Sequence, residues 1–189
     1  MNDILRMHAF IPLSRANGPG ARAVIWTKGC ALNCPGCFNP ETHPYAGGEL
    51  IAVDDLFQRI AALKETIEGL TVSGGEPLQQ LRPLTNLLRR VREETDLSVL
   101  VFTGYTWGEV QRMPGADALL ACLDALLAGR YDQSLRVARD LRGSANKTFH
   151  FLTERYSMSD LQGTPPAEVI ITAGGEVMIS GIDPVKLPW

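Results

Sequence analysis

The sequence predicts an α/β fold on a mostly parallel sheet, and two observations carry that prediction. Short apolar runs rich in β-branched residues alternate along the chain with longer stretches of helical periodicity, the order expected of βα units. Several of those apolar runs stop at a glycine, as a strand does where the chain must turn sharply. The chain has 189 residues, 45% hydrophobic and 21% charged. A chain of this size buries roughly 70% of its unfolded surface. One domain over 1–189 is expected, with a core at 14–160 and a C-terminal hairpin and tail at 165–189.

Each element has its own signal. Ala23-Val24-Ile25-Trp26-Thr27 reads as a buried strand running straight into a cysteine loop. Asp54 or Asp55 can cap a helix whose apolar residues are Leu56, Phe57, Ile60, Leu63 and Ile67. Leu70 to Ser73 is a second strand, ended by Gly74-Gly75. The next helix carries Leu81, Leu84, Leu87, Leu88 and Val91 on one face, and Pro83 fits its first turn. Leu97 to Thr103 is a third strand, closed by Gly104. A short helical stretch and Pro114-Gly115 precede a helix from Asp117 to Leu123. Asp124 to Ala128 is a fourth strand, ended by Gly129, and Thr148 to Leu152 a fifth. Glu168 to Thr172 and Glu176 to Ser180 flank Ala173-Gly174-Gly175, a hairpin signal, and the tail from Asp183 to Trp189 reads as irregular. Ligands of such sheets gather at the carboxyl ends of the strands. The cysteine loop, Gly74-Gly75-Glu76 and Thr103-Gly104-Tyr105 each follow a strand and should share one rim.

The bulk properties exclude some classes. Net charge is −3 and no basic block is present, so no nucleic-acid partner is expected. No apolar run is long enough for a bilayer, and no apolar h-region follows the N-terminus. No membrane partner is expected, and a cytoplasmic location is. There cysteines stay reduced, and clustered ones serve metals or redox chemistry more often than disulfides. The sequon Asn146-Lys147-Thr148 then has no glycosylation to undergo.

The chemistry centres on Cys30-Ala31-Leu32-Asn33-Cys34-Pro35-Gly36-Cys37. Three thiolates this close can converge on one soft metal centre, and three is one fewer than an iron–sulfur cluster usually takes. The spacing admits an iron–sulfur cluster with one open iron. It also admits a structural zinc site completed by His43, or a closed electron-transfer cluster completed by Cys122. Cys122 itself sits in an apolar helical stretch and reads as a small buried hydrophobe. Gly74-Gly75 lets a ligand approach the main chain, and Glu76 could accept from an ammonium group; alone, the motif is a tight turn. Asn17-Gly18-Pro19-Gly20 with Arg22 reads as a loop, and so does Leu141 to Lys147. His8, His43 and His150 are scattered, and no Ser-His-Asp or Cys-His nucleophile set can be assembled.

Taken together, several segments resemble the radical S-adenosylmethionine (SAM) superfamily. They are Asn17 to Arg22, Gly29-Cys30 through Cys34-Pro35-Gly36-Cys37-Phe38-Asn39-Pro40-Glu41-Thr42, Ser73-Gly74-Gly75-Glu76-Pro77, Phe102-Thr103-Gly104-Tyr105 and Arg142-Gly143-Ser144-Ala145-Asn146. Val177 to Gly181 has the same look. Within the superfamily the chain is most similar to the small activating enzymes of glycyl radical enzymes, of the anaerobic ribonucleotide reductase type.

The resemblance implies a partial, incomplete βα barrel. It implies a 4Fe–4S cluster on Cys30, Cys34 and Cys37, whose open iron chelates SAM. Gly36, Phe38 and Asn39 would lie along the cofactor on the cluster loop, with Gly36 and Phe38 toward its adenine end. Gly74, Gly75 and Glu76 would receive the methionine amino group, and Thr103 and Asn146 would help hold the cofactor. The implied activity is reductive cleavage of SAM to a 5′-deoxyadenosyl radical that takes hydrogen from a glycine of a partner. That partner would be a large glycyl radical enzyme, with a low-potential donor such as flavodoxin or ferredoxin supplying the electron. Cofactor-borne chemistry needs orientation and exclusion of water rather than an acid/base pair, which agrees with the missing nucleophile set. No second cysteine cluster is present, unlike activases with ferredoxin-like inserts. Three positions depart from the family pattern: His43 where Trp is usual, Ala128 where an acidic residue is usual, and Lys147 where Gln is usual. A radical-SAM enzyme acting on a small molecule or peptide, and a non-catalytic zinc or electron-transfer module, are the competing readings.

Overall fold

The computed structural model describes residues 3–172 and 174–182. Ala173 of the expected hairpin turn, the tail Asp183 to Trp189 and the first two residues lie outside the described residues. The strands are β1 (Ile4–Ser14), β2 (Arg22–Thr27), β3 (Glu49–Ala52), β4 (Gly69–Gly74), β5 (Ser98–Phe102), β6 (Ala125–Ala128), β7 (Arg136–Arg139), β8 (Arg142–Ser144), β9 (Thr148–Phe151), β10 (Ala167–Ile171) and β11 (Val177–Gly181). The helices are α1 (Val53–Ala61), α2 (Leu81–Glu94), α3 (Trp107–Gln111), α4 (Ala116–Leu120) and α5 (Met158–Leu161).

A seven-stranded sheet runs in the order β3-β1-β2-β4-β5-β6-β9. Its centre, β2 to β6, is parallel. Its flanks are antiparallel, with β1 against both β2 and β3, and β9 against β6. The sheet is therefore mixed, which corrects the expectation of a mostly parallel one. The short turn at 15–21 returns β2 alongside β1, and only antiparallel strands can be joined so briefly. Strands β3 and β9 are the two edges, so the sheet is open. The pair β10–β11 is the expected C-terminal antiparallel hairpin, in register from Ala167↔Gly181 to Ile171↔Val177.

Period-two alternation splits the central strands between two faces. Ala23, Ile25, Leu70, Val72, Val99, Val101, Leu126 and Ala128 join the core that the helices cover. Helix α2 buries Leu84, Leu87, Leu88 and Val91 against that face. The opposite face carries Trp26, Thr71, Phe102 and Leu127 and, at the amino ends of the strands, Arg22. Arg22 is the largest fully buried side chain.

Two local expectations need correction. Helix α1 begins at Val53 with extended Ala52 at its N-cap and no side-chain cap. Strand β3 runs directly into it, so Asp54 and Asp55 fall in the first turn, where carboxylates favour the helix dipole. Strand β1 was not expected, although Leu5 and Met7 are buried while Arg6 and His8 are more exposed, the alternation of a half-buried strand.

Candidate functional site

The cysteine loop leaves β2 at Thr27 and is held by backbone at both ends. Gly29, at φ +101°, donates to the Thr42 carbonyl at 2.8 Å, and Cys30 donates to the His43 carbonyl at 3.0 Å. A 3-10 turn at Pro40–Thr42 therefore backs the loop. Within it Asn33 and Gly36 take positive φ, and Cys37 N–H closes on the Cys34 carbonyl at 3.2 Å. Gln79 Oε1 accepts from Ala31 N–H at 3.0 Å and from the Tyr45 hydroxyl at 2.5 Å. All three cysteines are free and half-buried. Burial pushes the Cys30 and Cys37 thiols up, opposed by N–H groups of Leu32 and Asn33 at Cys30 and of Asn39 at Cys37.

The segment after β4 is locked onto that loop. Gly74 takes φ +107°, and a Cβ there would stand 2.4 Å from Thr27 N. Gly75 N–H donates to Thr27 O at 2.8 Å, and Glu76 N–H to Gly29 O at 2.9 Å. A Cβ on Gly75 would stand 2.4 Å from the Gly29 carbonyl oxygen. Gly75→Ala is therefore expected to push the cysteine loop away, at a cost of about 1–3 kcal/mol. Iron content after anaerobic reconstitution should fall with the melting temperature; unchanged iron loading would refute the coupling.

Glu76 is almost wholly buried. Its Oε1 accepts from Leu78 N–H at 2.9 Å and from the Thr103 hydroxyl at 2.7 Å, and its Oε2 from Gly104 N–H at 2.7 Å. Burial raises its carboxyl, opposed by those three donors and by the charge of Lys147. A carboxylate offers about four acceptor sites, so three internal bonds leave room for one further donor. Thr103, whose oxygen also accepts from Tyr105 N–H at 3.1 Å, thus orients Glu76.

One cavity brings together Cys30, Cys34, Cys37, Phe38, Asn39, Gly74, Gly75, Glu76 and Thr103. Two expected residues do not line it. Gly36 is exposed, and a Cβ there would meet the Gln133 side chain; Asn146 is exposed and donates to the Arg130 carbonyl at 2.9 Å. Its neighbour Lys147, just before β9, lines the cavity instead. The Phe38 ring lies 4.6 Å from that of Tyr131 and against Gly143, where a Cβ would clash with it. Trp26, His43, Tyr131, Gly143, Lys147, Gly181 and Ile182 also line the cavity, and sequence reasoning gave none of them a place beside a cofactor. His43 was considered as a zinc ligand, Lys147 only as a departure from the family pattern, and Gly143 and Gly181 only as parts of resembling segments. A lone lysine in a polar loop carries no signal, and the hairpin reaches the site through the tertiary bond from Asn17 Nδ2 to Ser180 Oγ at 2.7 Å.

Among the described residues, no three His, Cys, Asp or Glu side chains gather closely enough for one metal ion. Three thiols that each serve a different iron of a cluster do not need such convergence. Free thiols on one loop, with N–H groups beside the sulfurs, fit the donor set of a cluster. Cys122 lies elsewhere, in the helix-covered core, its thiol donating to Ala118 O at 3.3 Å. Cys122→Ala is expected to keep full iron content and to lose about 1 kcal/mol of stability; loss of iron would make it a ligand.

Beside the cavity, Thr106 and Glu109 form a capping box on α3. Arg130 grips Glu109 with two bonds of 2.6 and 3.0 Å. Chiefly through Arg130, then Thr106, the Glu109 carboxyl is held down at about 2. A depressed carboxyl stabilises the fold above its unfolded value of about 4.3. That contribution is expected to vanish as pH falls from there toward 2. It is worth less than about 1 kcal/mol at this exposed pair. Urea titrations at several pH values should show Glu109→Gln with a shallower acid limb than the parent.

A family model described as a 4Fe-4S single cluster domain matches residues 16–150. The anaerobic ribonucleoside-triphosphate reductase-activating protein of Vibrio cholerae is 33% identical over 79% of this chain and 99% of its own length. The chain belongs to the family of anaerobic ribonucleoside-triphosphate reductase-activating proteins. The activating protein of Enterobacteria phage T4 is 30% identical over 72% of this chain and 87% of its own. That of Escherichia coli K12 is 31% identical over 78% and 99%. A crystal structure of QueE from Escherichia coli is similar at TM-score 0.44, 18% identical over 55% of this chain and 54% of that one. In this reductase-activating family member, the matched segment holds the cysteine loop, Glu76, Thr103 and Lys147, whereas β10 and β11 lie beyond it. Among the described residues, no helix is long and apolar enough to cross a membrane.

Proposed function

We propose that the protein is a radical-SAM activase that generates a glycyl radical on an anaerobic ribonucleotide reductase. One observation carries this reading: three half-buried free cysteines open onto the same cavity as Gly74, Gly75 and the buried Glu76. When bound, a 4Fe–4S cluster would supply one electron to the SAM sulfonium, giving methionine and a 5′-deoxyadenosyl radical that takes hydrogen from the Cα of a partner glycine. Cys30, Cys34 and Cys37 would hold the cluster. The backbone of Gly74 and Gly75 and the spare acceptor site of Glu76 would bind the methionine ammonium. Thr103 keeps Glu76 aimed. Phe38, wedged between Tyr131 and Gly143, offers an apolar wall that limits water near the reacting carbon, and the polar Asn39 lines the same cavity beside it. Gly36 shapes the cluster loop and Asn146 braces the Arg130 carbonyl, so both would act through the chain rather than by touching cofactor. An incomplete βα barrel built on this open sheet would leave a way in for a protein partner.

Anaerobically reconstituted protein reduced with dithionite should convert SAM to 5′-deoxyadenosine and methionine in equal amounts. With an anaerobic ribonucleotide reductase present, it should also give a glycyl doublet by electron paramagnetic resonance. No cleavage under strict anaerobiosis sinks the radical-SAM reading, and colourless, zinc-loaded protein would replace it with a zinc module. Cleavage with no doublet would point to a small-molecule or peptide substrate instead.

A further inference from the structure

Lysines on loops usually extend their ammonium into water. Lys147 does the reverse. It stands at the entrance to β9, opposite the end of β6, and its side chain lines the cavity that the three cysteines open onto. Its Nζ donates to the Gly129 carbonyl at 2.5 Å, its single hydrogen bond among the described residues, although an ammonium carries three donors. The charged groups that act on it are Cys34, Glu76 and Cys37. Burial lowers its affinity for a proton, and those three groups raise it. A half-buried lysine on the cavity that also holds the three cysteines and Glu76 is placed to answer negative charge there.

We propose that Lys147 sets the reduction potential of the cluster held by Cys30, Cys34 and Cys37, by stabilising the reduced form. This rests on the functional reading above. The step is a one-electron reduction of the cluster, with dithionite as the reductant, and no proton is transferred. Three thiolates already make the centre anionic, and the added electron raises its negative charge by one. A fixed cation nearby therefore favours the reduced state more than the oxidised one, and cluster potentials follow local charge.

The test is a potentiometric titration of the cluster, followed by electron paramagnetic resonance, on the reconstituted protein without SAM. The parent is compared with Lys147→Met, Lys147→Gln and Lys147→Arg. At the parent's midpoint, the ratio of reduced to oxidised cluster should fall about tenfold in Lys147→Met and Lys147→Gln, about 59 mV for a one-electron couple. Lys147→Arg should stay close to the parent. Should Lys147→Met fail to load iron, Lys147→Gln decides, since its amide can still donate to the Gly129 carbonyl. An intact cluster with an unmoved midpoint in the neutral variants overturns the role of Lys147. Parent protein that takes up no cluster at all overturns the functional reading instead.

Discussion

Glu76→Gln is expected to destabilise the protein by about 1–3 kcal/mol and to weaken SAM binding about tenfold, the worth of one charge-assisted contact. The carboxylate takes a donor on each side: Leu78 N–H and the Thr103 hydroxyl on Oε1, and Gly104 N–H on Oε2. An amide keeps one acceptor oxygen and turns an NH2 group toward a donor. If the oxygen stays with Leu78 and Thr103, the Gly104 N–H loses its partner and faces another N–H in a buried place. Flipping the amide only moves the conflict to the other two donors. The spare acceptor site is lost when the oxygen stays with Leu78 and Thr103, and the negative charge that would attract a ligand ammonium and answer Lys147 is lost in either orientation. Thr103→Val provides the control, removing one donor while leaving the carboxylate, and should show the milder loss on both counts. Equilibrium binding of SAM without reductant, together with thermal melts, separates the two effects. Unchanged SAM affinity in Glu76→Gln would remove Glu76 from the binding site.

Arg22→Met is expected to have the largest effect on stability, about 3–5 kcal/mol, or on the order of 10 °C in melting temperature for a chain of this length. The guanidinium is fully buried. It donates to Thr71 Oγ1 at 2.8 Å, Ser98 Oγ at 2.9 Å, Tyr156 Oη at 3.0 Å and the Leu70 carbonyl at 2.8 Å. Two glycines make room for it, since a Cβ on Gly18 or Gly69 would fall within 2.7 Å of its side chain. Methionine fills much of the volume but supplies no donor: Thr71 and Ser98 keep their bonds to the Asn17 and Glu68 carbonyls and Tyr156 its bond to Ser98, while the bonds that all three and the Leu70 carbonyl accepted from the guanidinium are lost. Lysine keeps the charge but not the planar fork, so Arg22→Lys should lie between Met and the parent. A melting temperature for Arg22→Met within a few degrees of the parent would mean that water reaches this end of the sheet.

Arg22 and Lys147 mark the limit of what the sequence discloses. The central strands were legible because Ala23, Ile25, Leu70, Val72, Val99 and Val101 form short apolar runs bounded by glycines. The cysteine loop was legible because its ligands are neighbours in sequence, and the rim followed from strand order. Arg22 was not, because beside Asn17-Gly18-Pro19-Gly20 it reads locally as a loop residue, and its partners Thr71, Ser98, Tyr156 and the Leu70 carbonyl are distant in sequence. Lys147 was not, because its place depends on the direction of β9, and nothing in Thr148 to Leu152 says whether that strand pairs parallel or antiparallel. Strand β3 has only four residues, too few for periodicity to show.

The reversed direction of β9 has an evolutionary reading. A strand at the margin of a sheet has one neighbour to satisfy, and the residue at its entrance has no covering helix to fit. Lys147 occupies such a place while lining the cavity. The charge beside the cysteines can thus be exchanged by substitution at one peripheral codon, with the cysteine loop, its glycine lock and the helix-covered core left as they are. If Lys147 sets the potential as proposed, the electrical character of the centre can change while the architecture that holds it stays as it is.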